Sequence, residues 1–268
     1  MTRRCFFVER LEPDLGMVML TEGEAHHMET VLRIRPGDRV EVRNGRGGAW
    51  WGVVDYLEKG KVHVRLEGET LLKRAPESHL NLTLALAYAR SERMEGVVRQ
   101  ATELGVSRIV AFRASRSQYG LDGRQGDKRR ERWARITREA LCQCGRVVVP
   151  EVMLFGDMSD FLEWTAAWEN EPVAEGGISG SEVGLKIVAS EEELRGNLRM
   201  LHVDFPRCAR LLAVVGPEGG WTEEERARFG EAGFKAVGLG PRILRFETAA
   251  ATLAALIQLF WGDLGQSA

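Results

Sequence analysis

A chain of 268 residues that is 44% hydrophobic is long enough to bury a large core and to hold two domains. No apolar run has the length of a membrane span, since Gly262 and Asp263 close the last apolar segment. The net charge of −2 conceals an asymmetry: residues 1–150 carry 27 Lys+Arg against 20 Asp+Glu, and residues 151–268 carry 10 against 19, a distribution that suits a protein turning a basic face to phosphate.

The first residues, MTRRCFFVERLEPD, lack the apolar core and small-residue cleavage site of a secretory signal. A cytoplasmic protein is therefore expected. Residues 1 to about 72 read as short strands, Cys5–Val8, Arg39–Arg43, Ala49–Leu57 and Lys61–Leu66, with a short helix at Glu24–Leu32. Asn44-Gly45-Arg46-Gly47-Gly48 is a hairpin connection. Alternation places Arg39, Glu41 and Arg43 on one face, by default a solvated one. Small β-rich domains of this kind form partly open barrels.

Lys73 to Ser78 reads as a linker, and beyond it the period changes. Strands are expected at Leu80–Tyr88, Arg108–Phe112, Val147–Met153 and Leu185–Ala189. Helices are expected at Arg93–Leu104, Asp127–Cys144, Met158–Trp168 and Glu191–Leu201, with Gly105 placed to end the first. Alternating strands and helices imply an α/β domain with a mostly parallel sheet covered on both sides. On the Asp127–Cys144 helix, Lys128, Arg132 and Arg135 share one face and Arg138 lies close to it. That face is a solvated one by default and an RNA track if the β-rich domain also binds RNA.

Leu211–Thr252 holds two glycine-proline turns, Gly216-Pro217-Glu218-Gly219-Gly220 and Gly238-Leu239-Gly240-Pro241, each after an apolar strand-like run. Thr222 and Glu225 have capping-box spacing for a helix after the first turn. An apolar helix, Phe246–Trp261, follows the second. Glycine admits close backbone approach to a ligand, and turns at the carboxyl ends of neighbouring strands form a ligand crevice. Taken alone, the pair is equally a ligand cradle or a structural device. The sequence contains no GxxxxGK[ST], no GxGxxG after a first strand and no nucleophile elbow. Cys142 and Cys144 have no second ligand pair and His26-His27 no third ligand, so no metal is expected.

Gly216-Pro217-Glu218-Gly219-Gly220-Trp221, followed by Leu239-Gly240-x-Arg242-Ile243-Leu244-Arg245-x-Glu247-Thr248-Ala249, resembles the signature of the SPOUT-class RNA methyltransferases. Within that class the chain resembles the family that methylates N3 of a uridine in small-subunit (16S) ribosomal RNA. His26-His27-x-x-x-Val31-Leu32-Arg33-x-x-x-Gly37-Asp38 is similar to that family's PUA-like RNA-binding domain. Arg93-Met94-Glu95, Ala101 to Val106 and Glu139-Ala140-x-x-Gln143-x-x-Arg146 are similar to its middle motifs. Arg93 and Gln100–Ala101 stand where the family often has lysines.

The resemblance implies a PUA-like RNA-binding domain over residues 1–73 and a SPOUT domain with a C-terminal trefoil knot over 74–268. It also implies S-adenosylmethionine as cofactor, a homodimer, and small-subunit ribosomal RNA or the assembled subunit as partner. The cofactor residues it implies are Val215, Gly216, Pro217, Glu218, Gly219, Gly220, Leu239, Gly240, Ile243, Leu244, Arg245, Thr248 and Ala249. Its RNA-binding residues are Arg3, Arg4, Arg33, Arg93 and Arg116. Methylation at N3 requires loss of an imide proton, and the resulting charge spreads to the carbonyl oxygens. Arg245 and Arg146 are the candidates to stabilise that charge. Arginine stays protonated and cannot be the base, which leaves Glu218, Glu247 or a water. Competing readings are another SPOUT reaction, such as ribose 2′-O methylation, and a non-catalytic RNA-binding assembly factor.

Overall fold

The computed structural model describes residues 4–9, 11, 16–21, 28, 33–58, 60–69, 77–120, 125–169, 184–193 and 196–266. The short helix expected at Glu24–Leu32 and most of the expected linker lie outside them. The chain forms two compact units, Met1–Glu77 with Arg138–Val149, and Ser78–Thr137 with Pro150–Ala268.

In the first unit, β1 (Cys5–Phe7), β2 (Met17–Thr21), β3 (Arg39–Arg43), β4 (Ala49–Glu58) and β5 (Lys61–Glu69) pair in the order β1-β3-β4-β5-β2. Among the described residues the β1–β3 pairing is parallel and the other three are antiparallel. Val40, Val42, Val54, Val62 and Val64 alternate inward and pack with Phe6, Leu20 and Met28. The opposite face departs from the solvated surface expected for Arg39, Glu41 and Arg43. Arg39 is exposed, but Glu41 is 6% and Arg43 0% exposed. Arg43 pairs with Glu41 at 2.8 Å and donates to the carbonyls of Arg146 at 2.6 Å and Leu141 at 3.3 Å. The 141–149 segment covers these side chains, so a buried, hydrogen-bonded ion pair replaces a solvated one. That segment also alters the strand expected at Val147–Met153. Val148 bridges to Arg46 in the first unit, Pro150 has no N–H to donate, and the strand starts only at Glu151.

In the second unit, β6 (Asn81–Ala87), β7 (Arg108–Phe112), β8 (Glu151–Leu154), β9 (Gly184–Ala189), β10 (Arg210–Val215) and β11 (Lys235–Val237) form a parallel sheet in the order β11-β9-β10-β6-β7-β8. Its helices are α1 (Ser91–Glu103), α2 (Gln125–Cys144), α3 (Met158–Trp168), α4 (Leu198–Asp204), α5 (Glu223–Glu231) and α6 (Phe246–Trp261). β6 and β10 are buried along almost their whole length, the pattern of a sheet covered on both faces. Leu82, Leu84 and Leu211 pack with α1 and α6 side chains, while Val110, Phe112 and Leu212 pack with Phe161 and Phe229 of α3 and α5. Gly105 ends α1 at φ +76°, as its placement predicts.

The helix expected over Glu191–Leu201 forms only at Leu198–Asp204. Asn197 caps it, its side chain accepting from the Met200 N–H at 3.0 Å. Upstream, Gly196 accepts from the Gly238 N–H at 2.9 Å, and a Cβ on Gly238 would lie 2.1 Å from the Glu193 carbonyl oxygen. This backbone-to-backbone packing takes the place of the helix.

Candidate active site

The cleft lies in the second unit, at the carboxyl ends of β9, β10 and β11. It is lined by Ala189–Glu192, by Val215–Glu218 with Gly220, Trp221 and Arg226, and by Leu239, Gly240, Arg242–Leu244, Phe246 and Ala249. It opens to solvent, and its walls combine turn backbone with apolar and charged side chains, the make-up of a small-molecule site. Parallel strands direct all their carboxyl ends to one edge, so three successive turns converge there.

Trp221 fixes the first of these turns. Its indole N–H donates to the Ala189 carbonyl at 2.9 Å, tying β9 to the turn after β10. Gly216 packs on that indole so tightly that a Cβ would stand 2.9 Å from the ring. Gly220 takes φ +68°, which favours glycine. Thr222 and Glu225 form the capping box their spacing predicts, at 3.1 and 2.9 Å. The buried Glu225 carboxylate also accepts from the Ser115 N–H at 2.7 Å, which brings the loop after β7 to the same turn. At Gly240, φ is +103° and no atom lies within 4 Å of a would-be Cβ, so the backbone there borders open space.

Of the cofactor residues expected from sequence, Val215, Gly216, Pro217, Glu218, Gly220, Leu239, Gly240, Ile243, Leu244 and Ala249 line this cleft. Gly219, Arg245 and Thr248 do not line it. Gly219 makes room for Arg116, whose Cβ would stand 3.1 Å from a Cβ added there. The wall formed by Ser190, Glu191 and Glu192 was missed because the sequence there reads as a helix start. Trp221, Arg226, Arg242 and Phe246 were missed as walls although they flank or fall within the quoted motifs.

The charged candidates divide. Arg93 is ion-paired with Glu218, and its Nε lies 4.0 Å from Glu247 Oε2, so α1, the first turn and α6 meet at one guanidinium. Glu247 Oε2 is buried without a hydrogen-bond partner among the described residues. Arg116 donates to the Gly219 carbonyl at 2.9 Å. Arg93 and Arg116, two of the five arginines expected on RNA, thus hold the turn after β10. Arg245 precedes α6, is exposed, and has no side-chain partner among the described residues. Arg146 requires a correction. It belongs to the other unit, is 4% exposed, and is engaged with Glu77 at 2.8 and 2.9 Å. A guanidinium buried in that pair is a structural anchor, not a group open to substrate. Arg4 pairs with Asp38 at 3.0 Å, Arg33 is exposed, and Arg3 lies outside the described residues. The basic face of α2 is also partly committed, since Arg132 binds Glu95 at 2.8 Å and Arg138 lies over Phe7 and 3.6 Å from Glu9.

A doubly covered parallel sheet with a glycine-built cleft at its carboxyl edge, in a chain that also carries a small β-rich unit, defines an α/β protein with a small-molecule site at the strand ends. Residues 76–258 match the family model of the RNA methyltransferase domain, and residues 20–67 match that of the RNA methyltransferase PUA domain. The Ribosomal RNA small subunit methyltransferase E of Bacillus subtilis is 33% identical over 86% of this chain and 85% of its own length. That of Mycobacterium bovis is 34% identical over 94% and 89%. The crystal structure of the Neisseria gonorrhoeae enzyme of the same name, bound to S-adenosyl methionine, superposes with a TM-score of 0.79 at 31% identity, covering 97% of this chain and 99% of that one. The chain belongs to the ribosomal RNA small subunit methyltransferase E family.

Proposed function

We propose that this chain methylates N3 of a uridine in small-subunit (16S) ribosomal RNA, with S-adenosylmethionine as donor. The observation that carries the reading is the cleft, where three turns from β9, β10 and β11 present glycine backbone and apolar walls. Gly216, Gly220, Leu239, Gly240 and Leu244 hold it. When bound, the donor supplies an electrophilic methyl group on a sulfonium centre. Glu191 on the cleft wall would balance that positive charge, Glu192 and Glu218 being paired with Arg226 and Arg93.

Arg245 is the group placed to stabilise charge on the uracil oxygens, being exposed at the start of α6 and without a partner among the described residues. Glu247, partly buried and with its Oε2 4.0 Å from the Arg93 Nε, and Glu218 are the candidate acceptors for the N3 proton, directly or through a water. Arg93 orients Glu218 and Glu247, and Arg116 fixes the turn between them and α5. Residues 1–73 form the RNA-binding domain and residues 74–268 the SPOUT domain, the latter contributing Arg138–Val149 to the first compact unit. The close passage of Gly238 under Glu193 and Gly196 supports a knotted C-terminal end. The exposed Val203 and Leu259, on α4 and α6, support pairing of two copies, and a ribosomal RNA substrate implies the cytoplasm.

The test is to incubate the protein with S-adenosylmethionine and unmethylated small subunits and to map the modified nucleoside. N3-methyluridine is expected, and a ribose 2′-O product overturns the N3 assignment. Arg245→Ala is expected to lose methylation while retaining donor affinity and thermal stability. Full activity in that variant removes Arg245 from the mechanism.

A further inference from the structure

The net positive charge of this protein lies outside the β-rich segment. Residues 1–77 carry 13 Lys+Arg and 13 Asp+Glu, a net charge of zero. Residues 78–137 carry 12 against 6, and residues 150–268 carry 10 against 19. The basic stretch supplies β6, β7, α1 and the first part of α2, and the acidic stretch supplies β9, β10 and β11. The α/β unit is therefore strongly polarised, whereas the β-rich segment offers phosphate no net attraction.

Contacts gather the exposed cations at the carboxyl ends of β6 and β7. Tyr88 follows β6, and the Arg129 guanidinium lies over its ring at 5.0 Å. Arg129 also donates to the Gly120 carbonyl at 3.4 Å. Gly120 in turn lies against Arg113, whose Cδ would be 3.3 Å from a Cβ there. These contacts join the stretches that carry Arg90, two residues beyond Tyr88, Arg113 at the end of β7, and Lys128 next to Arg129 in the chain. All three are exposed and have no ion-pair partner among the described residues. The same loop reaches the cleft, since Arg116 holds the Gly219 carbonyl and Ser115 binds Glu225. Neighbouring cations drop out of the set because they are spent locally: Arg130 lies 3.6 Å from Asp127 and Arg132 lies 2.8 Å from Glu95.

We infer that Arg90, Arg113 and Lys128 form a phosphate-binding surface for the RNA backbone beside the cleft, and that this surface supplies most of the electrostatic part of RNA binding. The inference rests on the RNA-methylation reading and adds where the strand is held. Cations that neutralise phosphates release counterions, so each contact steepens the fall of affinity with salt. Cations already paired with carboxylates contribute little to that slope.

The test measures binding of small-subunit ribosomal RNA between about 50 and 200 mM salt for three proteins. They are the wild type, an R90A/R113A/K128A variant, and an R35A/K61A/R65A control that removes the same charge from exposed positions of the first unit. The first variant is expected to bind at least tenfold more weakly at low salt. Its log–log salt slope is expected to be shallower by about 2, since each single-strand phosphate contact contributes roughly 0.7. The control keeps the wild-type slope, and all three retain donor affinity, which reports an intact cleft. An unchanged slope in the first variant, or an equal loss in the control, overturns the inference and leaves the methylation reading standing. A wild type that binds the donor but no RNA at any salt overturns both.

Discussion

The two units solve the burial problem differently. β4 in the first unit alternates between buried and accessible positions, so its sheet shows a covered and an open side. β6 and β10 in the second unit are buried almost end to end, because α1 and α6 cover one face and α3 and α5 the other. A sheet sealed on both faces is accessible only at its edges and strand ends. Parallel order sends every carboxyl end to the same edge, and that is where the cleft forms. In the first unit the polar investment is internal: Glu41 and Arg43 form a buried pair capped by backbone carbonyls.

The comparison breaks most sharply at Arg43. Arg43→Met leaves Glu41 buried without its cation, which costs about 3–5 kcal/mol. Stability measured by chemical denaturation is expected to fall accordingly, while affinity for S-adenosylmethionine, a property of the second unit, stays within a few-fold. Loss of donor binding in parallel would show that the two units do not act separately. A smaller effect is expected from Gly238→Ala, whose new methyl would meet the Glu193 carbonyl oxygen at 2.1 Å. Overpacking against backbone costs about 1–3 kcal/mol, and donor affinity falls with it because the turn after β11 must shift. Calorimetric titration of the donor reads this directly, and unchanged affinity refutes tight passage at this point.

The smallest effect is expected from pH. Burial pushes the Cys208 thiol from its ordinary 9.0 up to about 11, outweighing its backbone hydrogen bonds with Leu185 and Arg210, which act the other way. A folded-state pKa above the unfolded one gives stability that is present below pH 9 and lost as pH rises toward 11. Melting temperature should decline across that window in the wild type and less steeply in Cys208→Ala. Identical profiles would mean that the thiol titrates as it does in the unfolded chain.

Local spacing carried much of the second unit. The capping box at Thr222 and Glu225, the stop at Gly105 and the extent of Phe246–Trp261 depend on neighbours within a few residues, and the structure places them as read. Most of the expected cofactor residues also line one cleft, because consecutive turn residues at a strand end move together. Elements that answer to distant backbone were harder to read. The helix after β9 starts late because Gly196 is claimed by Gly238, and the strand after α2 starts late because Val148 pairs with Arg46.

The amino-acid sequence by itself determined the α/β alternation, the glycine turns and the family signature, since each follows from short-range periodicity or from contiguous motifs. Tertiary structure decided what each charged side chain does. Arg93 meets a carboxylate 125 positions away, and Arg146 one 69 positions away. Arginine is long enough to choose among many carboxylates, and only the folded chain brings one of them within reach. The same cation type thus becomes a buried anchor at Arg146, a clamp on the cleft at Arg93 and an open site at Arg245.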